Sequence, residues 1–159
     1  MKALILALVA LLSMLAAKAQ HSGSHSASLT LTGTIEIAIT RGQQVTLNFN
    51  TPADYAAGIT TLNAATVRIR SNFRYNLTVR SASSHFNSLS ATPMPVSGVL
   101  AVRVFPQGQF INLSGSDALL LGNQSQGTNN INVSYRATPG FNYDPGIYTA
   151  NIIYTATMQ

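Results

Sequence analysis

Thirteen residues near the start of the chain, Ser28 to Thr40 (SLTLTGTIEIAIT), carry an aliphatic side chain at almost every second position. Leu29, Leu31, Ile35, Ile37 and Ile39 form the row, and Gly33 holds its one small slot. Successive side chains of a β-strand point to opposite faces, so five large aliphatic groups share one face. The other face reads Ser28, Thr30, Thr32, Thr34, Glu36, Ala38 and Thr40, which suits water. A period of two over this length does not match the three-to-four spacing of an amphipathic helix. The row has to fill a core, either that of its own domain or that of a neighbour.

The same period recurs downstream. Val45, Leu47 and Phe49 alternate with Thr46, Asn48 and Asn50 as a second strand. Val67 and Ile69 oppose Arg68 and Arg70; after Asn72-Phe73, the residues Tyr75, Leu77 and Val79 oppose Arg74, Asn76, Thr78 and Arg80. These two runs read as a hairpin-like pair of antiparallel strands with one wet face. Val99–Phe105 is a fifth strand, Phe110–Leu113 and Ala118–Leu121 are short ones, and Ile131, Val133 and Tyr135 alternate again. A long strand from Ile147 to Met158 places Tyr148, Ala150, Ile152, Tyr154, Ala156 and Met158 on one face. Thr51–Gly58 and Gly122–Asn130 read as loops, and Ser81–Gly98 as a long connection in which Pro93 and Pro95 argue against a central strand. No helical spacing with capping signals is expected. The fold class expected is all-β, an antiparallel immunoglobulin-like β-sandwich of about seven to nine strands.

Residues 1–19 read as a secretory signal peptide: Lys2, an apolar run from Ala3 to Leu15, and the small-x-small site Ala17-Lys18-Ala19. Residues 20–27 (QHSGSHSA) are a flexible tail, and residues 28–159 form a single β-sandwich domain whose residues 28–40 are its first strand or a donor strand. The mature chain is therefore expected to be exported, at the cell surface, extracellular or in a periplasm, with no membrane span. It has no cysteine, so stability has to come from core and ladders rather than disulfides. Loss of Lys2 and Lys18 with the leader reduces the formal charge of +5 to +3, carried entirely by arginines. That balance is too weak to argue for a nucleic-acid partner.

Little in the chain reads as chemistry. His85 is the one histidine outside the tail, in a loop-like context, so no base is evident for a serine or threonine nucleophile. The acids are Glu36, Asp54, Asp117 and Asp144, and Asp54 and Asp144 fall in turn-like contexts. His21 and His25 lack a neighbouring carboxylate or thiol that would build a metal site. No catalytic residue, no cofactor and no metal is expected. Four Asn-x-Ser/Thr triplets, at Asn76, Asn112, Asn123 and Asn132, are what a chain rich in these residues yields by chance. Phe141 and Tyr143 flank a Pro/Gly loop and are candidate exposed aromatics, the basis of an alternative reading as a self-contained carbohydrate-binding module.

The segment Leu29–Ile39, the strand Val45-Thr-Leu-Asn-Phe49, the run Ala65–Val79 and the closing Pro145-Gly-Ile-Tyr-Thr-Ala-Asn-Ile-Ile-Tyr-Thr155 together resemble a family. The chain looks like a pilin-type secreted subunit, as in the spore coat protein U group and the alternate chaperone–usher fimbriae. The resemblance implies an incomplete sandwich with one strand missing, completed by the N-terminal extension of the next subunit. It implies other copies or related subunits as partners, assembled by a periplasmic chaperone and usher into a structural or adhesive fibre. Leu29, Leu31, Gly33, Ile35, Ile37 and Ile39 would be the donor residues. The cysteine pair of spore coat protein U relatives is absent, so no disulfide carries over. The same six residues serve equally well as the domain's own first strand.

Overall fold

Residues 26–90 and 92–159 are described by the computed structural model, so the expected signal peptide and most of the expected tail lie outside the described residues. The chain divides into two units, Met1–Leu31 and Thr32–Gln159. In the first, residues 26–31 have no regular secondary structure, and Leu29 and Leu31 are 84% and 77% exposed.

The second unit is a β-sandwich of two antiparallel sheets. Its strands are β1 (Ile35–Arg41), β2 (Ile59–Ser71), β3 (Tyr75–Ser81), β4 (Leu100–Val104), β5 (Ile111–Asn112), β6 (Ala118–Gln124), β7 (Gly127–Ala137) and β8 (Ile152–Met158). One sheet has the order β1-β2-β7-β4-β5 and the other β6-β3-β8. The alternation that marks the strands in sequence sets their faces here. Val67 and Ile69 of β2, Tyr75, Leu77 and Val79 of β3, Val102 of β4 and Val133 of β7 are buried between the sheets. Each such side chain contributes roughly 1.5–3 kcal/mol on burial. The intervening Arg68, Arg70, Arg103 and Arg136 lie on the outer face.

Five local expectations are corrected. The runs of β2 and β3 do not form a hairpin: they belong to different sheets, and Asn72–Arg74 carries the chain across. Ser71 fixes that crossing, its hydroxyl donating to the Phe73 carbonyl (2.9 Å) and accepting the Phe73 amide (3.1 Å). Val45–Phe49 keeps its alternating burial but joins no ladder. The last strand's ladder begins at Ile152 rather than Ile147, preceded by an isolated bridge between Asn87 and Thr149. The loop expected at Thr51–Gly58 holds a short helix, α1 (Pro52–Ala57), closed by a capping box between Thr51 and Asp54. The polar stretch expected as a loop, Gly122–Asn130, is largely the ends of β6 and β7, where the ladder outruns the buried core.

Candidate functional site

The feature that stands apart from the packed sandwich begins where β1 ends. Gly42 adopts φ +70, and a Cβ there would run into the Ala64 carbonyl and stand 2.8–2.9 Å from Ala65. Only glycine combines that left-handed turn with so close an approach. Beside it the Arg41 guanidinium donates to the Asn63 carbonyl (2.7 Å), to the Asn63 side chain and to Thr66 Oγ1 (3.2 Å). These contacts hold the exit from β1 against the irregularity between Thr61 and Ala65 of β2.

From Gln43 to Asn50 the chain runs without a ladder partner. Val45, Leu47 and Phe49 are half-buried and pack on the core, while Gln44, Thr46 and Asn48 are exposed. The far end is pinned as firmly as the near one. Asp54 accepts the amides of Asn50 (3.0 Å) and Thr51 (2.8 Å), and these two hydrogen bonds, with one from the Thr51 side chain, hold its carboxyl below the usual value. The segment is thus fixed at both ends and unpaired between them.

The stretch leading into β8 is held along one side. Tyr148 donates its hydroxyl to the Asp144 carbonyl (2.8 Å) and meets Phe86 edge-on, and Thr149 exchanges backbone hydrogen bonds with Asn87 at 2.8 and 2.9 Å. β8 itself is the edge of its sheet. A cleft of about 1060 Å³ is lined by both segments, Gly42–Asn50 and Pro145–Ile152. Ile39, Ala65, Leu100 and Ala137 contribute its apolar lining from the five-stranded sheet. Tyr135 of β7 and Tyr154 of β8 also line it, and their hydroxyls meet at 2.6 Å, tying the two sheets together. Burial pushes both phenols above their ordinary pKa, and for Tyr154 the neighbouring Tyr135 adds to the effect.

The residues singled out in sequence separate into groups. Leu29 and Leu31 are exposed. Gly33 sits against Phe73, where a Cβ would come within 3.2 Å of the ring, and Asn72 donates to the Thr32 carbonyl while its own carbonyl accepts the Thr34 amide (2.8 Å each). Ile35, Ile37 and Ile39 belong to β1, paired with Ser71, Ile69 and Val67 of β2. Ile35 and Ile39 pack on the core, whereas Ile37 is 38% exposed. Phe141 is 67% exposed and stacks on Tyr55 (5.5 Å), which tilts against Phe49 (5.2 Å). Tyr143 is half-buried and lines the cleft, so the two loop aromatics do not share one exposed platform. The cleft itself was not apparent in sequence. Its signals were the glycine after β1 and the Thr-Pro-x-Asp cap after Asn50, which bracket an alternating run.

No protein-family model matches the chain, and no curated protein matches it in sequence. Among solved structures the chain is similar to a subunit in the structure of a chaperone–usher pilus described for the molecular basis of rod uncoiling. The two share 12% identity with a TM-score of 0.47, over 89% of this chain and 100% of that one.

Proposed function

We propose that this chain is an exported, non-enzymatic structural subunit that joins other copies of itself by strand insertion into the cleft. The observation that carries the reading is a cleft lined by two segments that lie outside the strand ladders, Gln43–Phe49 and the lead-in to β8, with apolar side chains from the sheets beside them. A strand laid there would give backbone donors and acceptors of both segments a partner, as in β-augmentation. The occupant is the segment before β1 of a second copy, residues 27–33. Its alternate positions are Ala27, Leu29, Leu31 and Gly33, and it carries no charge to desolvate. Ile35, Ile37 and Ile39 are committed to β1 and stay with their own sheet. Burying Leu29 and Leu31 contributes roughly 3–6 kcal/mol before ordering costs, with ladder hydrogen bonds in addition. Assembly by a periplasmic chaperone and usher, a spore coat protein U type of subunit, and an adhesive role for the fibre belong to the same proposal and follow from the resemblance.

The test removes the donor and leaves the acceptor. Deleting residues 26–31, or introducing Leu29→Asp with Leu31→Asp, leaves β1 and its ladder intact. The expected result is a folded protein by circular dichroism that no longer forms polymers in light scattering and electron microscopy. Polymers of undiminished length from either variant would overturn the proposal, as would a wild-type chain that stays monomeric at every concentration.

A further inference from the structure

We propose that the outer face of the five-stranded sheet is a binding surface for an acidic polysaccharide. The distribution of charge carries the inference. Apart from its leader the chain has seven arginines and four acids. Five of the arginines, Arg41, Arg68, Arg70, Arg103 and Arg136, lie on this one face, with Glu36 as its sole acid. Arg74, Arg80 and the remaining three acids lie elsewhere, so the excess positive charge of the mature chain belongs to a single surface. None of the five lines the cleft, and the inference stands apart from the fibre reading.

The fold positions these guanidiniums without neutralising them. Glu36 serves both Arg68 and Arg70, at 3.6 Å from each. Arg41, Arg103 and Arg136 have no carboxylate within 4.0 Å among the described residues. Arg103 and Arg136 stack on the Phe110 ring, their guanidinium carbons 4.7 and 4.4 Å from its centroid. Such cation–π contacts fix the planar heads without using their in-plane N–H groups. The Nε of Arg68 and of Arg103 is buried with no acceptor. Between the arginines lies a hydrogen-bonding row: Arg41 donates to Thr66, and the Thr66 hydroxyl donates to Asn132 (2.8 Å).

The spacing and chemistry of this face select the occupant. Arg68 pairs with Asn130 and Arg103 with Ser134 on β7, so the two clusters are offset by four residues, about 13 Å at the rise of a strand. One small anion cannot touch both, whereas an extended polymer can. Guanidiniums suit the carboxylates and sulfates of an acidic glycan, and the intervening hydroxyl and amide groups suit its sugar hydroxyls. A protein partner is disfavoured because this face offers little exposed apolar surface for the desolvated centre of an interface: Ala101 is buried, Phe110 lies under two guanidiniums, and the exposed Leu62 of β2 is flanked by Thr61 and Asn63. A single-stranded nucleic acid is disfavoured because Phe110, the face's aromatic ring, is already taken up by two guanidiniums and leaves no platform for a base.

The probe is immobilised heparin, with neutral dextran and a DNA duplex as comparisons. Purified protein is expected to bind heparin and not dextran at about 150 mM salt, with affinity falling log-linearly as salt rises. Arg103→Gln with Arg136→Gln, and Arg68→Gln with Arg70→Gln, should each weaken binding at least about tenfold. Arg74→Gln with Arg80→Gln, just before β3 and within it, should leave it within about twofold. If a variant misfolds by circular dichroism, the heparin-to-dextran ratio and salt slope of the unmodified protein still decide. No heparin binding, an equal loss in the Arg74/Arg80 control, or tighter binding to DNA at the same salt would each overturn the proposal.

Discussion

Tyr135 and Tyr154 show how a single contact couples the sandwich's two layers. One hydroxyl comes from β7 and the other from β8, and the 2.6 Å bond between them is a polar link between the two sheets. Removing one partner strands the other, which is costlier than removing both. Tyr154→Phe should therefore destabilise by about 1–3 kcal/mol in urea denaturation, while the double change Tyr135→Phe with Tyr154→Phe should lie closer to wild type. The pH dependence has a definite sign. Both phenols are raised in the folded state, so their contribution is fully present below the ordinary tyrosine value of 10.0 and is lost as pH climbs towards the raised values. Sequence alternation places each residue on the more apolar face of its strand. It could not pair them, because period-two spacing reports which face a side chain takes and is silent about its partner in the opposite sheet.

The same distinction governs the elements. Val67, Ile69, Tyr75, Leu77 and Val79 were legible as inward-facing because each strand has one wet face and one dry face. Their pairing was not, since β2 and β3 have the pattern of a hairpin whether or not the three residues between them turn within one sheet. Val45, Leu47 and Phe49 carry the distinction furthest: their alternation reflects burial against the core, and no ladder accompanies it. Hydrogen exchange on the monomer separates the two properties. Amides from Gln43 to Phe49 should exchange orders of magnitude faster than those of Val67, Ile69 and Val133, although side chains of both groups touch the same core. Comparable protection in the two groups would mean that the segment already has a strand beside it. The cap at Thr51–Asp54 was legible too, as a Thr followed three residues later by an acid. The helix it starts has only six residues and buries none of them, so no apolar stripe marks it in the sequence.

For the whole molecule, the cleft and the arginine face place two surface properties on different parts of one sandwich. A subunit that used the cleft to join its neighbours would keep its basic face free along the assembly. The stability of the isolated chain then depends on whether the cleft is filled, which gives the assembly reading a thermodynamic signature separate from polymer formation. A ligand that binds the folded state alone stabilises it by RT ln(1 + [L]/Kd), about 2.7 kcal/mol at a hundredfold excess over Kd. A synthetic peptide of residues 26–34 (SASLTLTGT), added to the chain lacking residues 26–31, should therefore raise Tm by several degrees in a concentration-dependent way. The same peptide with serine at both leucine positions should leave Tm unchanged, because ladder hydrogen bonds alone must compete with water. Protection of the Gln43–Phe49 amides should rise in step with Tm, since an inserted strand supplies the partner they lack. A Tm that rises without that protection would locate the peptide somewhere other than the cleft.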